Sequence, residues 1–305
     1  MLKWFSFWDL RFVPASLYLR PPLAFLMSIA AKRSRAVFGK LDRDLAKLSS
    51  KPQAENVHGF RTGTRRLQIL LQDLALDSGR THKKLLKSLG SIRKRAGKVR
   101  DLDVQLAALR SVKMARQPRR KTQLVNHLIE LRDRQEKKLR KELDRETVRD
   151  LRKRLKRIEK NFDPKKCRDP LTVARAMLAK IDGASAPVNE AVLHQYRILS
   201  KRARYAAEFA ERSPEAERFI AGVKRVQDAL GDWHDWLILA ETAKERLGGV
   251  SESPLVAELQ NVTGAKFRRA VAALNYMHSQ AARSPMQVAP SRLPASTNGD
   301  AASAA

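Results

Sequence analysis

The chain has 305 residues, 62 of them Lys or Arg and 32 Asp or Glu, giving a formal charge of +30 and an isoelectric point near 10.9. So basic a balance directs the search for partners to polyanions, because it raises a positive potential over the whole surface, without naming the polyanion. An apolar content of 43% excludes a disordered basic tail, and a single cysteine, Cys167, excludes an intramolecular disulfide and a cysteine-built zinc module.

In chain order, the first stretch is "MLKWFSFWDLRFVPASLYLRPPLAFLMSIAAKRSR", apolar but interrupted by Asp9, Arg11, Arg20 and the Pro21-Pro22 pair. Its longest clean run, 22–31, is too short to span a bilayer. Lys32, Arg33 and Arg35 follow that run where a secretory leader would place small residues for cleavage, so a cytoplasmic protein is expected. Residues 1–22 read as a loosely ordered aromatic extension and 23–48 as the first core helix.

From there to about 282 the pattern is helical, and alternating β-branched runs are absent. Helix starts recur at Ser50 with Pro52, Asp169-Pro170, Pro187 and Ser213-Pro214, each with a capping residue or a proline in the first turn. Breaks are expected at 77–80, 116–118, 161–170, 182–187, 213–214 and 248–254. The expectation is an all-α bundle in two halves, about 23–160 and 170–282, joined through the polar stretch 161–170. Residues 283–305 are rich in Pro, Ser and Ala without periodic apolar positions and read as a disordered tail.

Two stretches carry the same arrangement: "VHGFRTGTRR" at 57–66 and "LHQYRILSKR" at 193–202. At an offset of 136, Val57/Leu193, His58/His194, Phe60/Tyr196, Arg61/Arg197, Arg65/Lys201 and Arg66/Arg202 correspond. At an offset of 131, Leu89/Ile220, Ile92/Val223, Arg93/Lys224, Lys94/Arg225, Val99/Leu230 and Asp101/Asp232 correspond. A helical hairpin repeated once predicts an internal duplication and one bundle with two-fold pseudo-symmetry, since two units are too few for a solenoid.

Wound at 100° per residue, Phe60, Gly63, Leu67, Leu70, Leu71 and Leu74 form an apolar stripe, as do Tyr196, Leu199, Ala203, Ala206, Ala207 and Ala210. Arg61 and Arg65 share the other side with His58, and Arg197, Lys201 and Arg204 flank His194. Each aromatic is thus a core anchor, and the histidines and cations form an outward ridge. "RKRAGKVR" (93–100) and "KRVQDALGDWHD" (224–235) add Arg93, Lys94, Lys224 and Arg225 to it. Asp101 and Asp232 read as acids that pair with a motif Arg or His and fix its rotamer. A basic helix face is ordinarily just solvated. Like charges repeated on two related helices repel one another, an arrangement that makes sense around a bound anion.

At these residues the chain resembles the CHAD family, the conserved histidine α-helical domain. The carrying stretches are "VHGFRTGTRRL", "GKVRDLDV", "LHQYRILSKRARYAAEF" and "VKRVQDALGDWHD". The resemblance implies a bundle of two similar halves with a basic central surface that binds inorganic polyphosphate, and association with polyphosphate granules. By motif it assigns binding to His58, Arg61, Arg65 and Arg66 in the first half. In the second it assigns His194, Arg197, Lys201, Arg202, Arg204 and Lys224. The chain departs from the pattern at Gly59 and Gly63, which weaken a helix by up to about 1 kcal/mol each, and at Trp233 and His234.

The main alternative is nucleic acid, which the same charges attract. Aromatics make up 6% of the chain, and those of the motifs point into the core, so stacking platforms for single strands are missing. Enzyme readings are weaker. Relatives are often fused to a triphosphate-hydrolysing barrel with a Glu-x-Glu-x-Lys signature, whereas Glu215 and Glu217 are followed by Arg218 and Phe219 at a helix start. Gly97-Lys98 lacks P-loop spacing. Asp232, His234 and Asp235 would hold a metal weakly, and a phosphorylated His58 or His194 lacks a paired acid or metal to drive the transfer. The sequence therefore reads as a binding module without a cofactor or metal.

Overall fold

A computed structural model of the chain describes residues 31–113, 118–182 and 188–283. The aromatic extension, residues 23–30 of the first core helix, Pro187 and the tail from 284 lie outside the described residues. Among the described residues there are nine α-helices and no strands: α1 (Ala31–Ser50), α2 (Ala54–Gln68), α3 (Arg80–Ser111), α4 (Pro118–Glu142), α5 (Arg145–Asn161), α6 (Pro170–Asp182), α7 (Glu190–Ala207), α8 (Pro214–Leu247) and α9 (Pro254–Arg283). A π-helical segment, Ile69–Leu74, continues α2.

Four of these helices start at a side chain that caps them. The carboxylate or hydroxyl of the N-cap accepts an amide hydrogen bond at Asp169 (from Thr172, 2.7 Å) and Ser213 (from Ala216, 3.1 Å), as the sequence predicts. Asn189 does the same for α7, accepting from Val192 at 2.9 Å. At Ser50 the expectation fails. α1 runs through Ser50, and α2 begins at Ala54 after Gln53, whose side chain makes no capping bond. A further boundary, between α4 and α5, carries neither Gly nor Pro. Asp144 makes it, its carboxylate accepting from the Thr147 amide at 2.8 Å and from the Thr147 hydroxyl at 2.6 Å.

α3 and α8 have 32 and 34 residues, so each runs about 50 Å at 1.5 Å per residue, and they pack against each other. α1 and α2 pack together and meet α3 through α2, and α6 and α7 pack together and meet α8 through α7. α4 returns along α3, α9 returns along α8, and α5 closes over α1 and α3. Burial follows three apolar clusters. The largest joins Phe38, Phe60, Leu70, Leu155 and Phe209. A second joins Leu106 and Leu124 with Leu239 and Leu259, and a third joins Tyr196, Leu230, Trp233 and Leu274.

The polar stretch 161–170 links α5 to α6. It is pinned at an isolated bridge between Ala75 and Cys167, with the Arg168 amide donating to the Leu74 carbonyl at 2.8 Å. Cys167 is buried there, and burial followed by the nearby Asp163 pushes its thiol up to about 12. No described helix is long and apolar enough to cross a membrane.

Candidate functional site

The repeated motifs lie on α2 and α7, which touch each other and lean on the middle of α3 and α8. Their apolar sides settle the orientation. Val57, Phe60 and Leu67 of α2, and Leu193, Tyr196 and Ala203 of α7, are buried. Gly59 and Gly63 are explained by close packing rather than by looseness. A Cβ at Gly63 would meet the Leu41 side chain at 3.2 Å, and one at Gly59 would meet the Asp44 carboxylate at 3.3 Å, so the glycines admit α1.

With those sides buried, the cations of α2, α3 and α7 converge beside His234 and Asp235 of α8. Arg61 donates through Nη1 to the Gly97 carbonyl at 3.0 Å and to Asp101 Oδ1 at 3.3 Å. Arg93 donates to Gln68 Oε1 at 2.8 Å. Arg65 hydrogen-bonds Tyr205, whose ring is buried. Arg197 Nη2 sits 3.9 Å from Asp235 Oδ1, and its Nε is buried without a hydrogen-bond partner among the described residues. The His194 and His234 rings meet at 5.4 Å between centroids.

The ridge is therefore not outward-facing throughout. His58 and His194 are exposed, but Arg61, Arg65, Arg93, Arg197 and Lys201 are half-buried between the helices. The consequence is electrostatic. Burial, then Arg197 and Arg65, holds the Lys201 ammonium down to about 7. Burial, then Arg65 and Arg61, holds Arg93 to about 10. Burial, then neighbouring cations, also lowers Arg65, Arg197, His58 and His194, and takes His234 to about 3. Burial raises Asp235 against the pull of Arg197 and Lys201. The imidazoles thus sit below their ordinary value, the reverse of what a histidine gains beside a bound anion.

Several predicted residues stand elsewhere. Arg202 reaches Asp73 at 2.6 Å, and Arg66 reaches Glu208 at 2.7 Å. Arg204 also faces Glu208, at 3.6 Å, and the Arg66 and Arg204 guanidinium groups lie over the Tyr205 ring at 5.3 and 5.1 Å. Lys224 is exposed and pairs with Asp228 one turn along its own helix, Arg225 lies over Tyr276 of α9, and Lys94 is exposed. Asp101 pairs with Arg61 as expected, but Asp232 pairs with Lys266 of α9 at 3.0 Å. The acid that faces Arg197 is Asp235, three residues on. A helix advances 300° in three residues, so Asp232 turns to α9 and Asp235 to α7.

Sequence reasoning passed over Arg100, near His58 and Asp235, and Tyr205, the residue that the guanidinium groups share. Both stand inside quoted stretches, Arg100 as the last cation of "RKRAGKVR". Trp233 is 1% exposed and belongs to the core. Among the described residues no three His, Cys, Asp or Glu side chains gather to hold a metal ion.

Comparison with known proteins gives the arrangement a family. The CHAD domain model matches residues 33–244. The fold is similar to that of the CHAD domain from the plant Ricinus communis, with a TM-score of 0.53 and 19% identity over 85% of this chain and 89% of that one. It is also similar to PptA from Streptomyces chartreusis, with a TM-score of 0.60 and 15% identity over 85% of this chain and all of that one. No curated protein sequence matches the chain. A family match spanning most of the chain, together with the fold, makes this protein a member of the CHAD domain family.

Proposed function

We propose that the protein binds inorganic polyphosphate at the cluster between α2, α3, α7 and α8, without catalysing a reaction on it. The observation that carries this reading is a charge imbalance. Arg61, Arg65, Arg93, Arg197 and Lys201 are crowded and half-buried, with Asp101 and Asp235 as the acids facing them. Cations held out of water against their own repulsion destabilise the empty fold, and a multivalent anion removes that cost when it binds. Arg forks suit phosphate oxygens, and the unpartnered Arg197 Nε supplies a further donor.

Polyphosphate fits better than nucleic acid because Tyr205, the aromatic of the cluster, is buried beneath guanidinium groups and offers no face to a base. Non-specific attraction of DNA or RNA at low salt remains a property of so basic a surface. His58 and His194 stand at the exposed rim, where they gain a proton as a polyanion approaches.

We read the cluster as the product of an internal duplication. Two relations support this. Arg66 crosses from α2 to Glu208 at the end of α7, and Arg202 crosses from α7 to Asp73 just beyond α2. The packing of α1 with α2 and of α3 with α4 is also echoed by that of α6 with α7 and of α8 with α9. The expected location is the cytoplasm, at polyphosphate granules.

Calorimetric titration with polyphosphate tests the reading. The wild type is expected to bind, and an Arg65→Gln/Lys201→Gln variant to bind at least tenfold more weakly. Equal affinity of the two at physiological salt would overturn it.

A further inference from the structure

α5 (Arg145–Asn161) buries Val148, Leu151, Leu155 and Ile158 and turns a second basic surface outward. Arg145, Arg149, Lys153 and Arg157 recur at every fourth position, a row about 18 Å long at 1.5 Å per residue. A concavity opens on each side of this helix. One, of about 570 Å³, lies between α5 and the start of α3 and is lined by Arg80, Lys84, Lys153 and Arg157. The other, of about 550 Å³, is lined by Arg145, Arg149, Lys153 and Lys156. Lys153 belongs to both.

These cations outnumber the acids beside them, since Asp150 is the one carboxylate that lines either concavity. Arg152 is committed to Asp42 at 2.8 Å and Arg154 to Asp150 at 2.8 Å. Arg80, Lys84, Arg145, Arg149, Lys153, Lys156 and Arg157 form no ion pair among the described residues. Structural helices that expose cations ordinarily offset them with acids four residues away. α5 does so at Arg154, whereas Arg145, Arg149, Lys153 and Arg157 of the row form no such pair.

The surface is separate from the central cluster. Both use α3, but Arg80 and Lys84 face α5, whereas Arg93 and Gly97 face α2. Nine residues separate Lys84 from Arg93, which places them about 180° apart around the helix. A short anion therefore cannot touch both surfaces.

We propose that the α5 surface is a second polyphosphate site, which makes the protein bivalent and able to join two segments of long chain. This rests on the reading of the central cluster as a polyphosphate site. Polyphosphate is favoured over nucleic acid because neither concavity contains an aromatic side chain for a base to stack on. It is favoured over a membrane because no exposed large apolar residue lies on α5.

The test is calorimetric stoichiometry with a short polyphosphate, on the full chain, using two variants. One is Arg149→Gln/Lys153→Gln/Lys156→Gln/Arg157→Gln, all surface positions on α5 whose replacement leaves the core intact; the other is Arg65→Gln/Lys201→Gln. The wild type is expected to take two chains, and each variant one. With long polyphosphate the wild type is expected to scatter light as chains are joined. The α5 variant should bind without scattering, at least tenfold more weakly, because the second site supplies avidity. Its slope of log affinity on log salt should fall by roughly 3, since each of the four cations removed neutralises one phosphate and contributes about 0.7 to the slope. One chain per wild-type molecule, with the α5 variant unchanged, would overturn the second site and leave the central reading intact. Loss of all binding in the α5 variant, with the central variant unchanged, would leave α5 standing and overturn the central reading. Duplex DNA displacing polyphosphate from α5 at physiological salt would also overturn the proposal.

Discussion

Arg66 of α2 donates to Glu208, just past the end of α7, at 2.7 Å, tying the tail of one motif helix to the other. Arg202 makes the reciprocal link, donating at 2.6 Å to Asp73 in the π-helical segment after α2. These arginines are therefore engaged in holding the motif helices together, whereas Lys224 only bonds Asp228 on its own exposed helix face.

Stability should separate them. Asp73 is 15% exposed, so Arg202→Gln strands a mostly buried carboxylate, and a loss of about 1–3 kcal/mol is expected. Lys224→Gln should change stability by less than about 0.5 kcal/mol. Denaturant unfolding of the two variants checks both. An Arg202→Gln protein as stable as the wild type would contradict the tethering role.

Lys201 gives the fold a pH dependence of known sign. Its ordinary value is 10.5, and burial followed by Arg197 and Arg65 holds it near 7 in the folded chain. Between those values the unfolded chain binds a proton that the folded chain lacks, so this group makes stability rise with pH from about 7 towards 10. A bound polyanion reverses the local field. Binding at pH 8 is accordingly expected to take up a proton, measured by titration calorimetry in buffers of different ionisation enthalpy. Lys201→Arg should remove most of that uptake, because Arg stays charged throughout. Identical uptake in the variant would place the proton elsewhere.

Asp235 competes with a ligand for Arg197 and Lys201. Asp235→Asn is therefore expected to strengthen polyphosphate binding several-fold and, because burial already disfavours this carboxylate's charge, to leave the empty protein no less stable. Thermal unfolding with and without polyphosphate reads both effects. Weaker binding by the variant would show that the carboxylate assists the ligand instead.

The N-cap of α7 is a local test. Asn189 accepts from the Val192 amide at 2.9 Å, and Asn189→Ala should cost about 0.5–2 kcal/mol. At this chain length a loss of 1 kcal/mol lowers the midpoint of thermal unfolding by about 2–4 °C. An unchanged midpoint would contradict the capping role.

The helices are legible in the sequence wherever a chemical break is strong. Pro118, Pro170, Pro214 and Pro254 all open helices, and Asp169 and Ser213 cap theirs. The α4–α5 boundary is hidden because Asp144 is an N-cap without Gly or Pro beside it. The π-helical turn is hidden because "ILLQDL" continues the same apolar stripe as α2. In the cluster, periodicity identifies which residues share a helix face, and hence Arg61, Arg65, Arg197 and Lys201. It carries no information on which neighbouring helix each face meets. For that reason the sequence gives no way to prefer Asp235 to Asp232 as the acid facing Arg197, or to see that Arg202 reaches Asp73. A wheel also treats an outward face as wet, whereas packing of α2 against α7 leaves Lys201 and Arg197 half-buried.

The central claim is tested most directly by competition between long-chain polyphosphate and duplex DNA of matched charge, across a salt series, for the wild type and for Arg61→Gln/Arg65→Gln/Arg197→Gln/Lys201→Gln. Polyphosphate is expected to win by tenfold or more at physiological salt in the wild type, and to lose most of that margin in the variant. Equal binding of the two polyanions, unchanged in the variant, would contradict a dedicated polyphosphate site at the α2–α7 cluster.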